Sequence, residues 1–110
     1  MTTTYNKLVR DKIPEIILEQ GKSCEYYVAN SNEISRRLFD KIREEISEFE
    51  VDATIEEAAD IFEVFLRMLE HSNYSLSDVA RVANLKAAKR GRFQKCIVLT
   101  SVEDDLIDPT

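Results

Sequence analysis

Glu44-Glu45-Ile46-Ser47-Glu48 and Glu56-Glu57-Ala58-Ala59-Asp60 stand close together in the middle of the chain, each inside a stretch of helical periodicity. Around the first, Ile34, Leu38, Ile42, Ile46 and Phe49 fall at i, i+4, i+8, i+12 and i+15, an apolar stripe down one side of a helix. Around the second, Ile55, Ala58, Ile61, Phe62, Phe65, Leu66 and Leu69 repeat in the same way, and Asp52-Ala53-Thr54 reads as the turn between them. Helices joined by so short a turn pack antiparallel, with axes about 8–10 Å apart. Residues three apart share a helix face, their Cβ atoms roughly 5–6 Å apart. Glu45 therefore converges with Glu48, and Glu57 with Asp60. Four carboxylates facing one gap repel each other unless a cation fills it. A hard divalent ion suits an all-oxygen site: Mg²⁺, with Mn²⁺ as its substitute. Two plainer readings compete. Exposed helix faces are rich in Glu, and Thr54-x-x-Glu57 matches a capping box, in which Glu57 bonds back to its own backbone.

Working outward, Pro14 suits a first helical turn and Gly21 a helix end, so residues 14–20 read as a short helix. Asn30, with Glu33 three residues on, caps the first long helix. Ser75 with Asp78 opens a further helix that runs to Arg90 and is closed by Gly91. Tyr26, Tyr27 and Val28 make 24–29 a candidate strand, and Cys96-Ile97-Val98-Leu99-Thr100 is a second that could pair with it. The acidic segment 103–110 reads as a frayed tail. The fold class expected is mostly α, a helical bundle with a minor two-stranded β element, in a single domain over 1–110.

Composition narrows the function classes. The net charge is −6, from 15 Lys and Arg against 21 Asp and Glu. That balance argues against a nucleic-acid polymer as partner, which calls for a basic surplus. It leaves room for a small anion bound through a metal. The two cysteines, Cys24 and Cys96, have no zinc-ligand spacing and read as buried thiols in a reducing, cytoplasmic setting. No signal peptide and no membrane span is expected. His71, the single histidine, sits at a helix end, so nucleophilic catalysis by Ser or Cys lacks a base.

The basic residues concentrate in two segments. Lys7, Arg10 and Lys12 surround Asp11, and Lys86, Lys89, Arg90 and Arg92 cluster at the end of the last long helix. Cations near a helix C-terminus complement its dipole. Alternatively, Arg forks and Lys charges grip phosphate oxygens, which fits a metal–polyphosphate ligand.

Tyr5-Asn6-Lys7-Leu8-Val9-Arg10-Asp11-Lys12-Ile13-Pro14 resembles the N-terminal signature of a branch of the all-α NTP pyrophosphatase superfamily. That superfamily includes MazG-like proteins and phosphoribosyl-ATP pyrophosphohydrolase. The resemblance runs from about Tyr5 to Leu99. Glu44-Glu45-x-x-Glu48 followed by Glu57-x-x-Asp60 is similar to the family's metal motif. It implies Glu45, Glu48, Glu57 and Asp60 as Mg²⁺ ligands, with Glu44 and Glu45 as the catalytic carboxylates and Glu44 nearest to water activation. Asn84-x-Lys86-x-x-x-Arg90 resembles an element that contacts substrate phosphates, joining Lys7, Arg10 and Lys12 in substrate binding. The chain departs from the pattern in two places. The interval from Glu48 to Glu57 is short, and Arg90-Gly91-Arg92-Phe93 stands where the branch carries Arg-Gly-Gly-Phe. The resemblance implies a MazG-like, Mg²⁺-dependent hydrolase that converts a nucleoside triphosphate or related nucleotide to monophosphate and pyrophosphate, in nucleotide-pool house-cleaning, as a homodimer or higher homo-oligomer. The alternatives are a nucleotide-binding or regulatory module without turnover, and a helical interaction protein without metal.

Overall fold

Asn30 starts the longest helix through its side chain: Oδ1 accepts from the backbone N–H groups of Asn32 and Glu33 at 3.0 and 2.9 Å. These are two of the orphan donors of a first turn. The computed structural model describes residues 1–103, and over them the chain is helical, with four helices and no strand. These are α1 (Ile13–Glu19), α2 (Ser31–Val51), α3 (Ile55–His71) and α4 (Leu76–Arg90). The chain divides into two compact units, Met1–Leu76 and a second from Ser77 onward. From residue 104 on, the acidic tail lies outside the described residues.

In the first unit, α2 and α3 pack as a hairpin across Asp52, Ala53 and Thr54. Leu38 and Leu69 are the buried apolar residues, and Glu45 is buried among them at 6% exposure. Ile34, Ile42, Phe49, Ile61, Phe65 and Leu66 are half-buried, as the two stripes require. Ile46 departs from its stripe and is 50% exposed. Phe39, seven residues earlier on α2, and Phe62 on α3 are likewise about half exposed.

Helices α1 and α3 end in the same way, at a residue of positive φ. After α1, Gly21 takes φ +75°, its N–H reaches Leu18 O, and the Lys22 N–H reaches Ile17 O. This is the paired reversal of a Schellman motif. After α3 the same pair of bonds forms, from Asn73 to Glu70 and from Tyr74 to Leu69, with Asn73 at φ +62°. In the second unit, α4 has no buried residue and ends at Gly91, φ +81°.

The expected β element is not formed among the described residues. Segment 96–100 starts at Cys96 with φ +54°, a left-handed conformation that a strand cannot carry. An isolated two-stranded element is marginal in any case. The thiols are also not buried: Cys24 and Cys96 are both free and exposed, because both lie in irregular segments outside any helix packing. No helix among the described residues is long and apolar enough to cross a membrane.

Candidate functional site

The hairpin brings Glu45 of α2 together with Glu57 and Asp60 of α3, their ligand oxygens within 4.8 Å of one another. Glu45 lies six residues before the end of its helix at Val51, and Glu57 two after the start of its helix at Ile55. The tight turn is thus long enough to place the two clusters opposite each other.

Glu57 is the residue on which the capping and ligand readings divide. Its N–H donates to Thr54 Oγ1 at 3.2 Å, so Thr54 does cap the helix. The reciprocal half of a capping box needs the Thr54 N–H, and that group donates to Asp52 O at 2.8 Å. Glu57 Oε2 is buried without a hydrogen-bond partner, and so is Glu45 Oε2. A buried, unsatisfied carboxylate oxygen carries a desolvation penalty of roughly 1–3 kcal/mol or more. Here two such atoms belong to one cluster.

The N-terminal segment supplies cations to this cluster. Arg37, on α2, anchors that segment by donating from Nη1 to Asn6 O at 3.0 Å and from Nη2 to Asn6 Oδ1 at 2.9 Å. Its Nε bonds Glu33, which also accepts from the Tyr27 hydroxyl. The neighbouring Lys7 then reaches Glu44 Oε1 at 3.1 Å. Arg10 opens the turn closed by the Ile13 N–H to Arg10 O bond, and its Nη2 donates to Asp60 Oδ1 at 2.7 Å. Lys41, on α2 itself, stands 3.4 Å from Glu44 and 3.3 Å from Glu45.

These contacts separate the two adjacent glutamates electrostatically. Burial pushes the Glu44 carboxyl up, but the Lys7 hydrogen bond and the charges of Lys41 and Lys7 outweigh it and hold the group below its ordinary value. Burial pushes Glu45 up as well. There the Lys41 contact offsets only part of it, and the charges of Glu48 and Asp60 add to the rise. The bond to Glu44 raises the Lys7 ammonium in turn.

Of the residues expected at the site, Glu45, Glu57 and Asp60 form the cluster, with Glu44, Lys7 and Arg10 around it. Glu48 is exposed and stands outside it. Lys12 is the N-cap residue of α1 and is exposed. Asn84, Lys86 and Arg90 lie on α4, where Asn84 Oδ1 accepts from Arg92 at 3.1 Å. Lys41 and Arg37 were not among the expected residues. The i, i+3 and i, i+4 spacing of Lys41 to Glu44 and Glu45 was a readable signal. A cleft of about 60 Å³ lined by Lys7, Lys41 and Glu44 shares Asn6, Arg37 and Asp40 with a larger one of about 450 Å³ that Arg36 and Glu33 also line.

Comparison of the chain with protein-family models, with curated proteins and with solved structures finds no match in any of the three.

Proposed function

We propose that the chain is a Mg²⁺-dependent pyrophosphohydrolase, with Mn²⁺ as substitute, that cleaves a nucleoside triphosphate or related nucleotide to monophosphate and pyrophosphate. One observation carries the reading: Glu45 Oε2 and Glu57 Oε2 are buried and unbonded in a cluster with Asp60. A set of carboxylate oxygens fits a hard divalent cation, and Lys41 partners only the Oε1 of Glu45, leaving its Oε2 unbonded. When bound, such a cation stabilises charge on phosphate oxygens and lowers the pKa of a coordinated water.

The rest is the work of the chain's own residues. Glu45, Glu57 and Asp60 hold the cation, and Glu48 is assigned as a fourth ligand on the family resemblance. Glu44, kept ionised by Lys7 and Lys41, is the acceptor for a proton from the attacking water. Lys7 and Arg10 carry the positive charge that phosphate oxygens require. Asn84, Lys86, Arg90 and Lys12 complete the substrate contacts on the resemblance alone, as do the MazG-like type of the bundle and its homo-oligomeric state. The two neighbouring clefts along α2, which share Asn6, Arg37 and Asp40, offer room for the nucleoside.

The deciding experiment is a panel of canonical and modified nucleoside triphosphates, scored by pyrophosphate release with Mg²⁺ and with excess chelator. Metal-dependent release from at least one is expected. No release from any of them, with nucleotide still bound, would make the chain a binding module. No binding and no release would remove the reading altogether.

A further inference from the structure

We infer that Arg10 is a resident counter-cation of the carboxylate cluster, which competes with a divalent cation for Asp60 and which a phosphate then receives. The inference rests on the cation-binding reading above and adds a coupling between the two ligands that the reading does not require.

The three cations at the site are not equivalent. Lys7 stands on Glu44, which is outside the ligand cluster. Lys41 stands on Glu45, but both belong to α2 at i, i+4, and its side chain is only 16% exposed. It is fixed beside its partner by the helix. Arg10 comes from the N-terminal segment, is 58% exposed, and places Nη2 2.7 Å from Asp60 Oδ1. It alone of the three reaches a cluster carboxylate from outside the hairpin. The distribution of bonded oxygens agrees with this. Glu45 and Glu57 each hold a buried unpartnered oxygen, whereas Asp60 Oδ1 is taken by Arg10.

A bare divalent cation that takes Asp60 Oδ1 therefore breaks a charge-assisted bond and meets a positive guanidinium at short range. A cation accompanied by a phosphate meets a different situation. The displaced fork finds phosphate oxygens, which match its geometry as well as a carboxylate does. Cation and anion then bind more tightly together than apart, a positive coupling between two sites. Arg10 so disfavours unproductive occupation by free metal and favours the paired ligand.

The consequence is a pair of opposite effects from one substitution. A residue that only grips phosphate leaves metal affinity unchanged when removed. One that only braces the fold weakens both ligands. The test is a titration of nucleotide-free protein with Mn²⁺, following the free-ion EPR signal, for wild type, Arg10→Ala and Arg10→Lys. Arg10→Ala should bind Mn²⁺ about three- to tenfold more tightly, the scale of one partly exposed ion pair plus the removed repulsion. Arg10→Lys keeps the charge and should stay within about twofold of wild type. With Mg²⁺ saturating, inorganic phosphate should bind Arg10→Ala about tenfold more weakly. Arg10→Gln repeats the measurement if Arg10→Ala does not fold. Equal or weaker Mn²⁺ binding by the charge-removed variants overturns the inference while leaving the metal site standing. Absence of Mn²⁺ binding in every variant, wild type included, removes both.

Discussion

The α2–α3 hairpin has two long faces of opposite character. On one, Glu45, Glu57 and Asp60 converge, and the N-terminal segment brings Arg10 to Asp60 and Lys7 to the adjacent Glu44. On the other, Phe39, Ile46, Phe62 and Ile55 are between 47% and 81% exposed. Ile46 lies one residue, about 100°, round the helix from Glu45, and Phe62 about 200° round from Asp60. The first face is unfavourable in charge and is relieved by cations from within the chain. The second is unfavourable in hydration, and Arg43, 5.9 Å over the Phe39 ring, covers only part of it. Exposed apolar side chains of this kind suit an interaction surface. In the homo-oligomer proposed on the resemblance, this is the face that a second copy would cover.

The largest effects should come from the acidic face. Glu57→Gln keeps shape and capping but removes a charge that a hard cation needs. Pyrophosphate release should fall about 100- to 1000-fold, with the melting temperature in chelator little changed. Glu48→Gln, outside the cluster, should cost less, about tenfold. Equal losses from the two would mean that Glu48 enters the cluster when ligand binds. Wild-type rates for Glu57→Gln would reduce the acidic face to an ordinary charged surface.

Beneath both faces lies Leu38, 2% exposed. Leu38→Ala removes buried methylenes and leaves a cavity, at a cost of about 2–4 kcal/mol. Urea unfolding should show that loss, and metal binding and self-association should weaken together. If one survives at wild-type strength, the faces do not share a core.

How far these two faces could be read from sequence differs residue by residue. Asn30, Thr54, Gly21 and Gly91 announced helix ends because a cap depends on one side chain or on one residue tolerant of positive φ. The acidic cluster was legible because i, i+3 spacing on two helices across a short turn leaves little freedom. Glu48 was placed with the ligands by the same spacing, yet it is exposed. Spacing fixes which side of a helix a residue shares, and packing of the partner helix decides which turn is covered. The apolar face was hidden in the stripe: Ile46 fits the same periodicity as Leu38, and only packing shows that the stripe is wider than one partner helix can bury. The strand over 96–100 failed at Cys96, where a positive φ has no signature in a cysteine.

The apolar face is tested by Ile46→Asp. A charge within an apolar patch that a second copy would cover should weaken self-association by about 10- to 100-fold in sedimentation equilibrium. Mn²⁺ affinity per chain should stay within about twofold, since Ile46 points away from the cluster. A variant that remains assembled at wild-type strength would show that the partner sits elsewhere.

The smallest effect is the one most specific to the contrast between the faces. Glu45 is buried with its carboxyl raised above the ordinary value, first by burial and then by the neighbouring Glu48 and Asp60, against the pull of Lys41. The sign of its contribution follows. The folded chain holds the Glu45 proton more firmly than the unfolded chain does, so this residue favours folding most below the ordinary carboxyl pKa. The advantage fades as pH rises through the raised value, and above it the ionised group works against the metal-free fold. Glu45→Gln removes that charge with little change of shape. At neutral pH in chelator, the variant should melt a few degrees higher than wild type, the shift that about 0.5 kcal/mol produces in a domain of this size. The difference should shrink as pH falls and wild-type Glu45 takes up its proton. Millimolar Mg²⁺ should reverse the order, stabilising the wild type by mass action and leaving Glu45→Gln unmoved. A variant that melts lower than wild type in chelator would mean that the Lys41–Glu45 contact outweighs the burial of the charge. The acidic face would then be at rest without a metal, and Glu45 would be one half of a structural ion pair.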